Sequence, residues 1–221
     1  MIELSGIIDV LRSMIKALPV TGALSLLTLA LAFIIAIFLA LLEYLQVKGF
    51  QTFIKVFTSF FRGTPLVAQL FFIYFGLPSL FPAAVKMTGF TAAVITMSLN
   101  NAAYIKEAIR GALMSVEKGQ LEAGYSLGYS RKQVIRHIVL PQAALIALPS
   151  LSNSFVDIIK GSSMAFVVGV IEMTAAAQLY SASTLKFFEG YFSLIIMYWG
   201  IVLLLEQVLK RAELALSERI L

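Results

Sequence analysis

The chain has 221 residues, 60% of them hydrophobic and only 13% charged, with a mean hydropathy of +0.92. A soluble domain is nearer half apolar and a quarter charged, so long apolar runs of this composition imply an all-α polytopic membrane protein with no room for a sizeable soluble domain. The lack of cysteine excludes disulfides and thiolate chemistry, the single histidine (His137) argues against a histidine metal cluster, and the net charge of +5 reads as membrane topology, not nucleic-acid binding.

Residues 1–18 place Leu4, Ile7, Leu11, Met14, Ile15 and Leu18 at helical spacing, with Glu3, Asp9, Arg12 and Lys16 on the other positions. This pattern predicts a separate amphipathic helix lying in the membrane interface, followed by a transmembrane domain over 19–221. About 20 residues cross a hydrocarbon core of roughly 30 Å. Five spans meet that length: 22–42, which is uncharged; 55–77, with a Gly63-Thr64-Pro65 break; 89–109, containing Asn100 and Asn101; 141–159, interrupted by Pro149; and 191–209. A shorter apolar segment over 163–179 is expected to form a helix at the far surface.

Lysine and arginine set the orientation. With the N-terminus outside, Lys48, Lys55, Arg62, Lys106, Arg110, Lys118, Arg131, Lys132, Arg136, Lys210, Arg211 and Arg219 fall on the cytoplasmic side. Only Arg12, Lys16, Lys86 and Lys186 fall outside, and Lys160 lies near the outer end of the fourth span. The C-terminus is then cytoplasmic, and so is the polar stretch 112–136. That stretch reads as two short helices with a turn at Gly128, where glycine tolerates φ > 0, and with Ser130 and Gln133 starting the second helix. Spacing alone also fits a plain solvated loop.

Glu122-Ala123-Gly124, Gly128, Ile138, Leu140 and Pro141 together resemble the EAA loop of binding-protein-dependent ABC importer permeases. Gly124 stands where that family usually has alanine, which is expected to soften the helix by roughly 1 kcal/mol. Phe61-Arg62-Gly63-Thr64-Pro65-Leu66, the run from Gln69 to Pro78, Ala103-Tyr104, Arg110-Gly111-Ala112 and Leu140-Pro141-Gln142-Ala143 resemble the polar-amino-acid branch of that family. Leu148 to Phe155, Thr184-Leu185 and Tyr198-Trp199 look most like its cystine permeases.

The resemblance implies a type I importer permease that pairs with a second permease, often an identical copy. Each permease docks a cytoplasmic ATPase through Glu122, Ala123, Gly124 and Gly128, and an external binding protein delivers the substrate. The chain has no phosphate-binding Gly-x-x-x-x-Gly-Lys-Ser/Thr loop. It therefore needs no cofactor of its own, is not an enzyme, and leaves ATP and Mg²⁺ to the partner ATPase. Movement of residues 116–128 as a lever would then rock the spans between inward-open and outward-open states.

Polar groups at membrane depth are costly and face cavities or partners. Asn100 and Asn101 lie in the third span, and Ser152, Asn153, Asp157 and Lys160 in the fourth, with Ser163 just beyond. Asn153, Asp157 and Lys160 share one helix face. An acid, a base and an amide suit an amino-acid zwitterion; equally, Asp157 and Lys160 neutralise each other and Asn100 and Asn101 join helices. The related permeases commonly carry an acid at the position of Gly161, and its loss here leans the reading from a cationic substrate toward L-cystine. Gly161 and Pro149 bracket a segment able to unwind. Thr64 and Pro65 are expected at a gate or break, and Glu172 at an outer gate or, preferably, at the cap of a helix beginning near Met173. The competing class is a secondary transporter or channel driven by an ion gradient, although no inverted repeat is visible; no HExxH, acid pair or Gly-x-Ser-x-Gly elbow supports an intramembrane enzyme.

Overall fold

The first helix, α1, runs from Leu4 to Tyr44 without interruption in a computed structural model that describes residues 4–220. The amphipathic segment expected over 1–18 is therefore not a separate element; its first three residues lie outside the described residues, as does the side chain of Arg219. Pro19 sits inside the helix, yet the helix continues through it. The apolar face of the first half is occupied by protein: Val10, Met14 and Ala17 pack with Met173, Ala176 and Ala177.

All elements among the described residues are helical. After α1 come α2 (Gln51–Gly63), α3 (Leu66–Phe71), α4 (Leu77–Leu80) and a 3₁₀ turn over Pro82–Lys86. Then follow α5 (Gly89–Met114), α6 (Lys118–Ser126), α7 (Arg131–Val134), α8 (Leu140–Gly161), α9 (Met173–Thr184) and α10 (Phe187–Ile220). Among the described residues three helical stretches are long and apolar enough to cross a membrane, and four if the pair Gln51–Gly63 and Leu66–Leu80 counts as one span bent by 107°. The straight second span expected over 55–77 is thus replaced by a sharp corner. The remaining expected span, α5, is 26 residues long and forms the centre of the domain, packed on α1, α2, α3 and α8. Small residues (Ala32, Ala36 and Ala102) let α1 and α5 approach closely beside Ile105 and Ile158.

Two wide turns interrupt the ladders. Phe72–Gly76 and Ile135–Val139 are π-helical, closed by the Leu77 and Leu140 N–H groups donating five residues back to Phe72 and Ile135. Each lies just before a Leu-Pro pair, Leu77-Pro78 and Leu140-Pro141. A proline ring crowds the carbonyl four residues earlier, and in both cases that carbonyl, of Tyr74 or His137, belongs to the wide turn, which gives it room. Pro141 stands in the first turn of α8, as expected, and residues 131–161 run on as one helical stretch with a π turn inside it. Pro149 and Gly161 do not unwind α8, which is helical through Gly161. The far-surface segment expected over 163–179 is a 3₁₀ helix, Ser162–Val168, then a turn with Gly169 at φ +81°, then α9.

Candidate functional site

The exposed hairpin forms as the residues dictate. α6 ends in a Schellman motif: Tyr129 N–H donates to Gly124 O at 3.1 Å and Gly128 N–H to Tyr125 O at 2.9 Å, with Gly128 at φ +82°. The Gln133 carboxamide accepts from Ser130 N–H at 2.9 Å and from Ser130 Oγ at 2.8 Å, one half of a capping box at the start of α7. Glu122, Ala123 and Gly128 are exposed, whereas Gly124 is buried. A β-carbon on Gly124 would stand 2.6 Å from Ile138 Cδ1 and 3.1 Å from Val134 Cγ2. The glycine expected to soften α6 thus lets it sit close against Val134 and Ile138, and Ile138 packs on a cluster that includes Leu113, Val116, Val134 and Val139.

A buried ionic cluster lies at the root of this hairpin. Lys106, 1% exposed, places Nζ 2.6 Å from Glu43 Oε2 and against Glu107 Oε1. Arg110 grips Glu107 Oε2 through Nη2 at 2.8 Å and Nε at 3.0 Å, and reaches Glu43 Oε1 at 4.0 Å. The cluster fastens the end of α1 to the end of α5. Lys106 and Arg110, which count as topology charges in the sequence, are spent inside the protein; the signal for this lay in Glu107 beside Lys106, but Glu43 is 63 positions away.

The corner between α2 and α3 is held by a polar knot. Thr64 Oγ1 donates to Phe60 O at 2.8 Å and accepts from Gln69 Nε2 at 2.7 Å. Gln69 Nε2 also approaches Thr64 O at 3.1 Å and Phe61 O at 3.2 Å. Asn100 Nδ2 donates to Phe61 O at 3.0 Å and to Gln69 Oε1 at 3.1 Å. Thr64 and Pro65 mark the break as the sequence suggests, while Asn100, read as a pathway residue, fastens the corner to α5. Gln69, 5% exposed, joins all three elements through the knot.

Beside that knot, α5 and α8 border an open cavity of about 430 Å³ lined by Leu66, Asn100, Asn101, Tyr104, Ala108, Ser150, Asn153, Ser154, Asp157 and Gly161. Four of the sequence-selected pathway residues, Asn100, Asn101, Asn153 and Asp157, meet there. Asn101 is steadied by Nδ2 donating to Met97 O at 2.8 Å. Lys160 pairs with Asp157 at 2.8 Å with both side chains more than half exposed. Ser152 and Ser163 do not line the cavity: Ser152 faces a neighbouring groove with Glu206 and Lys210, and Ser163 Oγ donates to Lys160 O at 2.7 Å. Tyr104, Ser150 and Ser154 were not selected from the sequence, although Ser150 and Ser154 share the helical stripe of Asn153 and Asp157.

Glu172 is fully buried and caps α9, its two oxygens accepting from Thr174 N–H and Ala175 N–H, both at 2.8 Å, and from Tyr198 OH at 3.1 Å. Burial pushes its carboxyl above the usual range, against the downward pull of these donors. Of the two roles expected for it, the helix cap is the one its contacts describe.

Residues 32–216 match the model of the binding-protein-dependent transport system inner membrane component. The chain belongs to that family. The permease is 38% identical over 215 residues to the L-cystine transport system permease protein TcyL of Bacillus subtilis, covering 96% of this chain and 90% of that one. It is 42% identical over 158 residues to the glutamine transport system permease protein GlnP of Escherichia coli K12, covering 72% of each. Its structure superposes on the crystal structure of an amino acid ABC transporter with histidines at a TM-score of 0.89, with 29% identity, covering 96% of this chain and 98% of the other. The chain is thus the permease subunit of an amino-acid ABC importer, a multi-pass inner-membrane protein. In such systems ATP is hydrolysed by a separate subunit and substrate arrives on a binding protein.

Proposed function

We propose that two copies of this chain form the membrane core of an importer for a zwitterionic polar amino acid, with L-cystine the favoured substrate. The observation that carries the reading is the meeting of Asn100, Asn101, Asn153 and Asp157 in one cavity between α5 and α8. Its size lies within the range of small-molecule sites. An aspartate among amide donors and acceptors suits the α-ammonium of an amino acid and its polar neighbours. Cystine is supported by the resemblance of Leu148 to Phe155, by the identity to TcyL, and by Gly161, which leaves the cavity wall without a second acid.

The N-terminus lies outside and the C-terminus in the cytoplasm, so α6 faces the cytoplasm. The ATPase, which binds ATP and Mg²⁺, docks on the exposed face of α6 around Glu122 and Ala123. Closure of the ATPase pair pushes α6 against Val134 and Ile138, and the push enters α8 through the π turn. Because α8 carries Asn153 and Asp157, the same movement reshapes the cavity. ATP supplies the work through its different contacts with the two states.

The test is uptake into proteoliposomes containing the permease, its ATPase and its binding protein. Labelled L-cystine should enter only with ATP, and Asp157→Asn should slow entry about tenfold or more with ATPase assembly intact. Equal or stronger inhibition by arginine or glutamine would end the preference for cystine. Uptake driven by a proton or sodium gradient without the ATPase would end the importer reading.

A further inference from the structure

The cavity offers Asp157 to a positive group, and a free amino acid also brings a carboxylate. Among the described residues the cations in contact with the cavity's wall residues are Lys160, joined to Asp157 at 2.8 Å, and Arg62, against Tyr104. Arg62 lies at the end of α2, one residue before the corner, with its guanidinium carbon 5.5 Å from the centre of the Tyr104 ring. Tyr104 is a wall residue of the cavity. No carboxylate stands within ion-pair distance of Arg62 among the described residues, whereas Lys106 and Arg110, also on the α2–α5 side, are both committed to acids.

Arg62 is exposed and its charge is left unpaired, so its guanidinium is open to a ligand. Contact with an aromatic face steadies a guanidinium without using its N–H donors, so the planar fork stays free for a bidentate partner. A carboxylate matches that fork best. The polar knot supports the geometry, since Asn100 donates to Phe61 O and so ties the residue preceding Arg62 to α5. The corner thereby presents a fixed cation beside a wall residue of the cavity.

We infer that Arg62 is the carboxylate-binding residue of the passage: it takes the α-carboxylate of the transported amino acid while Asp157 takes the α-ammonium. The inference rests on the cavity being the passage. It assigns to the permease a requirement for a free α-carboxylate that is independent of the binding protein's own selectivity.

The experiment is equilibrium binding to the permease–ATPase complex in nanodiscs, without binding protein. Labelled L-cystine, L-glutamine, L-histidine and L-arginine serve as probes, and the tightest is then compared with its α-carboxamide. Wild type should hold the amino acid at least about tenfold more tightly than the amide. Arg62→Gln should weaken the amino acid by about the same factor, leave the amide within about twofold, and so erase the difference; Arg62→Lys should restore part of it. A merely structural Arg62 would weaken both ligands equally, and that result overturns the inference. Asp157→Asn separates the two levels. If it weakens binding while Arg62→Gln changes nothing, the cavity reading stands and the role of Arg62 falls. If neither substitution changes affinity, or wild type binds none of the probes, the cavity is not the passage and both readings fall.

Discussion

Replacing Lys106 with leucine tests whether α1 and α5 are fastened to each other by charge. Removing one partner of a buried ion pair costs about 3–5 kcal/mol, because the other charge stays behind unpaired. Here Glu43 and Glu107 keep side-chain exposures of 19% and 23%, and Arg110 still grips Glu107, so the lower end applies: about 3 kcal/mol. For a chain of this size that corresponds to a fall in thermal midpoint of roughly 6–12 °C. Replacing Glu43 and Lys106 together by leucine removes the stranded charge. The double variant should return to within about 3 °C of wild type, since a well-packed apolar pair substitutes for a buried ionic one at little net cost. The assay is heat-induced loss of the monodisperse permease in detergent, read by size exclusion for wild type, both single variants and the double. Additive losses in the double variant would refute the reasoning, for they would mean that Glu43 and Lys106 act independently.

Gln69→Leu takes from Asn100 Nδ2 one of its two acceptors, leaving Phe61 O, and loosens the corner at Thr64-Pro65; the expected loss is about 1–3 kcal/mol, read as a drop in the same thermal midpoint, and an unchanged midpoint would contradict the knot. Gly124→Ala pushes a methyl toward Ile138 Cδ1 and should weaken ATPase co-purification, while adding Ile138→Val removes that carbon and should restore it. Glu122→Lys should release the ATPase altogether in a pull-down, with the permease still folded; retained ATPase would count against docking on α6. Glu172 gives a pH signature: the folded chain holds its proton more tightly than the unfolded chain, so its stabilisation is full below about pH 4.5 and fades as pH rises through the higher folded value. Glu172→Gln should flatten that part of a midpoint-against-pH profile, and an unchanged slope would sink the assignment.

The helices were legible because their apolar runs are long, and the hairpin because Gly128, Ser130 and Gln133 carry their turn chemistry in adjacent positions. The cavity was half legible. Asn153 and Asp157 share a stripe that can be counted along one helix, but the meeting of that stripe with Asn100 and Asn101 depends on how α8 leans on α5. Asn100 illustrates the limit: a buried amide mid-span reads the same whether it faces solute or a carbonyl, and its partner Gln69 lies 31 positions away. Lys106 misled for the same reason, since a lysine close to a span's end looks like a topology charge until Glu43 is brought beside it. The continuity of α1 through Pro19 went against a local rule; packing of Val10, Met14 and Ala17 on α9 rewards a straight rod more than the missing N–H penalises it.

The two wide turns have a consequence for how this chain can change over time. Each contains one residue more than a regular turn and is followed by a proline that regular winding would jam against a carbonyl. Deleting the extra residue alone leaves the ring in collision, and exchanging the proline alone leaves the surplus residue in place. A paired change avoids both penalties, whereas a single one incurs the proline clash that α1 and α8 absorb at Pro19 and Pro149, which makes the joint between hairpin and passage-lining helix more durable in descent than its own hydrogen bonds would suggest.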